Sequence, residues 1–446
     1  DHCLAQNNLD PSAIPDPDFK EYTAEDIKGF FLMRFKEDVR EDAGENLTDR
    51  LLVPLEQTTV EATSEEETIY QILAELRAEA MKNKSEEAWR NNVLVQYGIY
   101  KQFLSSPESC RKTLQKRIKA VREKNAESPE LPYLDRMDQH LETLSIQSSS
   151  RYQLLIRQLK EIGWDGKPNS PRVLVFTEYR ETQDALAAAL AKDFKLKYSP
   201  KFEQQPKQVL ATINGSCPDI HLMKTVEAFG TGSSEVRMLL ATDVASEGVN
   251  LHHQCHNIIH YDLPWSIITL IQRNGRIDRF GQLEKPVLRY LRVSTQDGML
   301  KGDESIFERL IEKVEEINRS TRQGETVLKL YDSEAEERYI AESGLLKGDV
   351  DVLEKPAASM AAEALELESV LSEANPAGQE DFLKFLLGET DEAPVATSNN
   401  PTTGGQSRLR LYSDKKFLLE GYRYLAGGRK DYVPVEENGE LIMLTA

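Results

Sequence analysis

Arg172-Val173-Leu174-Val175-Phe176-Thr177 decides the fold. The apolar residues run on without alternating, so both faces of the strand must be covered, as in the interior of a parallel sheet. Reading outward, an Ala-rich helix is expected from Thr182 to Lys192 and a strand from Val209 to Ile213. A helix from Leu222 to Phe229 and strands Val236 to Ala241 and Asn257 to Tyr261 follow. After another helix comes a strand from Val287 to Val293. Strand and helix alternate, which predicts an α/β layered domain over 166–302.

The flanks read differently. Residues 1–20 are polar and Pro-rich, and from Thr23 the pattern turns helical. Leu51 through Val60 reads as a short strand. Ser64 and Glu67 have the spacing of a capping box, opening a helix that turns Ile69, Ile72, Leu73 and Leu76 inward. Further helices are predicted over 86–104, 107–124 and 132–162. Residues 1–165 are thus expected to be a mainly helical region, and 303–387 an acidic helical extension. The stretch 388–408 is rich in Thr, Pro, Gly, Asn and Ser and reads as a flexible linker. Residues 409–446 form a small Tyr-rich unit, with Glu437-Asn438-Gly439 as a hairpin turn.

A formal net charge of −20 argues against a surface coated in base for nucleic acid. Much of the imbalance sits in 301–394, which holds 24 acidic and 10 basic residues. The remainder is nearer neutrality and can carry a local basic groove. Cys3, Cys110, Cys217 and Cys255 form no CxxC pair, which suggests neither a disulfide framework nor a zinc ribbon. A cytoplasmic location is expected, since no stretch reads as a secretory signal or a membrane span.

The chemistry is concentrated in Gln272-Arg273-Asn274-Gly275-Arg276-Ile277-Asp278-Arg279-Phe280-Gly281-Gln282. Three arginines at spacing three are expected on one side of a helix, and a guanidinium is a fixed fork suited to phosphate. The plain alternative is a solvated basic helix with ordinary salt bridges. His252, His253, Cys255, His256 and His260 look like a metal cluster. Adjacent donors diverge, so a loop is expected there and no metal site.

The stretch 272–282 resembles motif VI of superfamily-two helicases, and Gly281-Gln282 resembles its Swi/Snf–RapA branch. Ala241 to Leu251 resembles motif V, and Tyr261-Asp262-Leu263-Pro264-Trp265 the lead into motif VI. Arg172 to Tyr179 resembles motif IV, and Ile213-Asn214-Gly215-Ser216 the short glycine motif after it. More weakly, Phe31 to Val39 resembles the connector leaving the first lobe, and Phe103 to Pro107 with Leu114 to Arg117 is similar to bacterial members.

This resemblance implies a RecA-like second lobe of an ATP-dependent double-stranded DNA translocase that remodels protein–DNA complexes. It implies arginine fingers at Arg276 and Arg279, with Gln272 coupling nucleotide to the first lobe. Gly248, Asn250 and Asp243 match positions facing the nucleotide, and Thr177, Gly215 and Thr242 positions on the nucleic-acid backbone. Ser246, Glu247 and Ile267 depart from the common pattern. ATP with Mg²⁺ is the implied cofactor, held mainly by a first RecA-like lobe of the same protein. The acidic amphipathic run 303–385 is expected to be a solvated helical pair; the alternatives are a docking surface for other proteins or a brake competing with DNA. No G-x-x-x-x-G-K-[ST] and no Asp-Glu-x-His segment occurs in these residues, so this chain alone is expected to be inactive as an ATPase. A strand-separating or RNA-directed helicase, or a non-catalytic scaffold, are the alternatives. Bacterial members of the family serve transcription recycling or anti-phage defence.

Overall fold

The computed structural model describes residues 49–80, 98–243, 251–252, 254–279, 282–296, 307–315, 435–437 and 440–442. The chain divides into two compact units, Asp1–Pro394 and Val395–Ala446.

The first unit is organised by a parallel sheet. Its strands are β1 (Leu51–Leu52), β3 (Val173–Phe176), β4 (Leu210–Ile213), β5 (Met238–Ala241), β6 (Asn257–His260) and β7 (Val287–Tyr290). Their order is β1-β7-β6-β3-β5-β4, and every pairing is parallel. The expected layered lobe is therefore present. All residues of β3, β4, β5 and β6 are buried, as non-alternating apolar runs require. The described helices are α1 (Ser64–Ala80), α2 (98–105), α3 (Pro107–Lys124), α4 (Leu131–Thr143), α5 (Ser150–Ile162), α6 (Arg180–Asp193), α7 (Asp219–Gly230), α8 (Ile267–Asn274) and α9 (307–315); α6 and α7 pack on the sheet, whereas α4 packs on α1 and α3.

The core crosses the domain boundary expected at 165/166. Tyr152, Leu155 and Leu159 of α5 are buried against Val175 of β3 and Leu186 and Leu190 of α6. Helix α5 ends where Gly163 takes a left-handed φ of 83° and Trp164 N–H donates to Leu159 O at 2.8 Å, the six-to-one closure of a Schellman motif. The turned chain then puts the Trp164 ring edge-on against Phe194 at 4.7 Å. The acidic extension also begins on the lobe and not in solvent. Phe307, Leu310, Ile311 and Val314 of α9 share one helical face, all are buried, and Phe307 meets Trp265 at 4.7 Å.

Several sequence expectations need correction. The strand read over Leu51–Val60 is broken: Pro54, with no N–H to give and φ −52°, leads into a 3-10 turn at Leu55–Gln57. The second half, β2 (Thr59–Glu61), pairs in parallel with β8 (Arg292–Ser294) in a separate two-stranded sheet. The strand read over Val287–Val293 breaks for the matching reason. Leu291 N–H donates to His260 O, whereas Arg292 N–H donates to Thr58 O, so the chain changes sheets between these residues. The capping box lies one residue early. Thr63 N–H donates to Glu66 Oε2 at 2.8 Å, and Glu66 N–H donates to Thr63 Oγ1 at 3.2 Å. The helix predicted over 132–162 is two helices, parted by a 3-10 turn at Ile146–Ser148 and restarted by the Ser149 cap on Tyr152 N–H.

In the second unit, β9 (Val435–Glu437) and β10 (Glu440–Ile442) pair antiparallel with Glu437 opposite Glu440, the register of a two-residue hairpin loop.

Candidate functional site

Parallel register lines up the ends of the strands. Phe176 is level with Ala241 on one side and His260 on the other, Ile213 with Ala241, and His260 with Tyr290. The residues that follow, Thr177, Thr242, Asn214, Tyr261 and Leu291, therefore stand in a row along the carboxyl edge. In an open α/β sheet that edge is where ligands bind.

Asp262, one residue past this row, is 3% exposed and gathers the edge together. Its Oδ2 accepts from Ser105 Oγ of α2 at 2.5 Å and from Thr177 Oγ1 at 2.7 Å. Oδ1 accepts from Glu178 N–H at 2.9 Å and lies 3.8 Å from Arg273 Nη1. Three elements, α2, the end of β3 and α8, are thereby fixed to the end of β6. A buried carboxylate with this many donors is compensated for its lost hydration.

Arg273 is the partner that matters most. It is 1% exposed, and its Nε and Nη2 donate to Asp243 Oδ1 and Oδ2 at 2.5 and 2.6 Å. Nη1 donates to the Asp262 backbone carbonyl at 3.0 Å, and the guanidinium lies 5.3 Å from the Phe176 ring centroid. Burial works to depress its pKa, but Asp243, then Asp262 and Glu178, more than offset that and hold it above the ordinary arginine value. Arg273 is a permanently charged tie between the residues after β5 and those after β6.

Helix α8 starts at Ser266, whose side chain accepts from Thr269 N–H at 3.1 Å, and ends at Asn274. The three arginines therefore do not share one side of a helix. Arg273 is buried inside it, whereas Arg276 and Arg279 follow in turns. Arg276 is 7% exposed, and its carbonyl accepts from Leu251 N–H at 3.1 Å, joining the tail of the 241–251 segment to it. Arg279 is exposed, with Nε donating to Gly275 O at 2.6 Å. A Cβ at Gly275 would stand 3.3 Å from Ile271 O, so the turn favours glycine. Gln272 is exposed. Gln282 is 5% exposed and locks the segment's far end, donating to Cys255 O and Ile277 O at 2.9 and 3.1 Å.

The other predicted residues fall into groups. Thr177 is fully buried, with its hydroxyl on Asp262 and its N–H on Ala241 O, so it faces inward and not a phosphate. Thr242 is 6% exposed and its N–H donates to Ile213 O. Gly215 is exposed, beside Ser216, whose Oγ accepts from Arg180 Nη1 at 2.9 Å. Both oxygens of Asp243 are taken by Arg273, which makes its carboxylate a positioning group. Gly248 and Asn250, with Ser246 and Glu247, lie outside the described residues.

His260 is a core residue: Nε2 meets Asn274 Oδ1 at 2.9 Å and the ring stacks on Tyr290 at 4.5 Å. Burial, with Arg273 nearby, holds its pKa well below the ordinary value. Burial likewise pushes the Cys255 thiol up to about 12. Among the described residues no group of three or more His, Cys, Asp or Glu comes together to hold a metal ion, and His253 lies outside them. Nor is any described helix long and apolar enough to cross a membrane.

Sequence reasoning missed Asp262 and Arg273. The usable signal was the paired charge: two carboxylates at strand ends, Asp243 and Asp262, need a cation in the covering helix, and Arg273 is the apolar-side arginine of α8.

Residues 151–281 match the family model described as helicase conserved C-terminal domain. Over that stretch the lobe is similar to that domain. Similar curated proteins include the uncharacterized ATP-dependent helicase YqhH of Bacillus subtilis, 31% identical over 113 residues, which cover 25% of this chain and 17% of that protein. The ATP-dependent RNA helicase dbp6 of Aspergillus niger is 29% identical over 186 residues, 40% of this chain and 27% of that protein. RhlB of Pseudomonas syringae, named an ATP-dependent RNA helicase, is 26% identical over 147 residues, 33% of this chain and 31% of that protein. The chain spans less than a third of the length of each of these relatives. Among solved structures, the C-terminal part of the Fun30 ATPase domain covers 68% of this chain and 99% of its own, with 15% identity and a TM-score of 0.38. The Sulfolobus solfataricus SWI2/SNF2 ATPase core in complex with dsDNA covers 74% and 55%, with 16% identity and a TM-score of 0.38.

Proposed function

We propose that this chain is the second lobe of an ATP-driven translocase on double-stranded DNA, of the Swi/Snf–RapA type. The observation that carries the reading is the Arg273–Asp243–Asp262 network. It spends one arginine of the segment on fixing the strand ends, and so holds the turn bearing Arg276 and Arg279 at the ligand-binding edge.

In this reading Arg279, and Arg276 after a small rearrangement, supply positive charge to a phosphoryl group presented by a separate lobe. Gln272, exposed beside them, contacts that lobe. Bound ATP with Mg²⁺ supplies the free energy, and among the described residues no acidic cluster would hold the metal. A guanidinium aimed at transferring phosphate stabilises charge in the transition state and is worth about 10³–10⁵ in rate. Gly215, Ser216 and Arg180 form the exposed patch best suited to the nucleic-acid backbone, contacts that carry no base sequence. Remodelling of protein–DNA complexes follows as the task, in transcription recycling or anti-phage defence.

A second reading, an RNA-directed helicase, draws support from the relatives named as RNA helicases. The test is ATP hydrolysis by the longer parent protein with duplex DNA, single-stranded DNA or RNA, beside Arg276→Ala and Arg279→Ala. Duplex-specific stimulation lost in the variants supports the first reading. Stimulation by RNA alone replaces it with the second, and no hydrolysis under any condition leaves a scaffold.

A further inference from the structure

Arg50 stands where three distant parts of the chain meet. Its Nη2 donates to Glu315 Oε1 at 2.8 Å and to Val314 O at 3.3 Å, and its Nε to Glu315 Oε2 at 3.3 Å. Its remaining arm, Nη1, donates to Asp278 Oδ2 at 3.5 Å. The side chains of Arg50 and Asp278 are each 6% exposed and that of Glu315 11%, so this is a buried group of one cation and two carboxylates. The partners lie 228 and 265 residues away in sequence.

Asp278 belongs to the stretch between Arg276 and Arg279, after α8 has ended at Asn274. A few turn hydrogen bonds hold that stretch, without a continuing helical ladder, so side-chain anchors weigh more in its position. Arg50 immediately precedes β1, the edge strand on β7, and is thereby fixed to the sheet. Glu315 grips the guanidinium side-on, leaving one arm for Asp278. The grip is unequal: a shift of α9 that draws Arg50 toward Glu315 lengthens the longer contact first.

We propose that Arg50 is a positioning residue for the Arg276–Arg279 turn, acting through Asp278, with Glu315 of α9 holding Arg50 in the geometry that this needs. The proposal rests on the reading of Arg276 and Arg279 as phosphate-facing arginines. It gives the start of the acidic extension a direct route to the site, by way of a buried side chain.

The plain competitor is a clamp that only keeps α9 in place. The two differ at Asp278. In the longer parent protein, with its stimulating nucleic acid saturating, kcat and KM for ATP are measured for Arg50→Gln, Asp278→Asn, Glu315→Gln, the Arg50→Gln/Asp278→Asn pair and Arg276→Ala, alongside thermal unfolding of each. Misplacing reacting groups by about 1 Å can cost 10²-fold, so Arg50→Gln and Asp278→Asn should each lower kcat roughly tenfold or more. KM for ATP should stay within about twofold, the mark of a contact used in the transition state. The double variant should be no slower than the worse single one, because both changes break one route. Asp278→Asn with wild-type kcat, while Arg276→Ala is inactive, overturns this inference and leaves the arginine reading standing. Arg276→Ala at the wild-type rate overturns both. Should Arg50→Gln fail to fold, Asp278→Asn alone still decides.

Discussion

Arg273 and Asp243 meet side-on through two hydrogen bonds, of 2.5 and 2.6 Å, with the guanidinium almost wholly withdrawn from water. The pair joins the end of one central strand to the helix that follows another. Arg273→Ala leaves Asp243 and Asp262 without their buried cation, and breaking such a pair from one side costs about 3–5 kcal/mol. Urea unfolding of this chain should register that loss. Lysine, which cannot reach both oxygens of Asp243 side-on, should recover only part of it.

Arg279→Ala is expected to behave oppositely. The residue is exposed and is tied locally, Nε to Gly275 O, so unfolding should move far less than for Arg273→Ala, by about 0.5 kcal/mol. In the longer parent protein the same change should remove ATP turnover. A large change in stability would place Arg279 with Arg273 as a scaffold residue.

Asp262→Asn preserves shape but replaces one accepting oxygen with a donor. Ser105, Thr177 and Glu178 N–H all donate to that carboxylate and Arg273 lies beside it, so in either orientation the new NH2 faces a donor, at about 1–3 kcal/mol. Hydrogen exchange should speed up in 98–105, the helix that Ser105 ties down. Unchanged protection there would mean that α2 is held by its apolar face alone.

His260 gives the protein an acid-sensitive core. Burial holds its folded pKa well below the 6.5 of an ordinary histidine, so the unfolded chain binds the extra proton first. Stability is therefore full above about pH 6.5 and falls as the pH drops from there toward the folded value, by up to about 1.4 kcal/mol per unit for one proton. His256, also lowered by burial, adds to the slope in the same sense. His260→Gln should flatten unfolding free energy against pH between 6.5 and 5, and a slope equal to that of the parent sequence would assign it elsewhere.

How legible the fold was depended on how local its causes are. Val173–Phe176 announces itself because four buried side chains in a row leave one interpretation, and its neighbours β4, β5 and β6 share the pattern. Leu51–Leu52 does not, since what makes it a sheet strand is a partner at Val287–Leu288. The break within 132–162 was written in the serines at 145, 148 and 149, which cap and restart helices, yet apolar periodicity outweighed them. At the site, spacing identified the segment and misjudged its members. Arg273, Arg276 and Arg279 are alike in sequence, and only the end of α8 at Asn274 separates the tie inside the helix from the two that follow it, of which Arg279 alone is exposed. Thr177 was misread for a similar reason: a hydroxyl at a strand end can face out or in, and the buried Asp262 behind it draws it inward.

Leu51–Leu52 seals the sheet's outer margin, and that changes what counts as a transferable module. The chain lays down its rim before the sheet it borders, and closes against it only after Val287 has been reached. A graft cut at 151, where the family match begins, or at 166 would arrive with Val287–Tyr290 as a naked rim, its backbone N–H and C=O groups open to pairing with other copies. Inheritance, splicing or engineering of this lobe must carry residues 49–61 as part of the unit, however far upstream they stand.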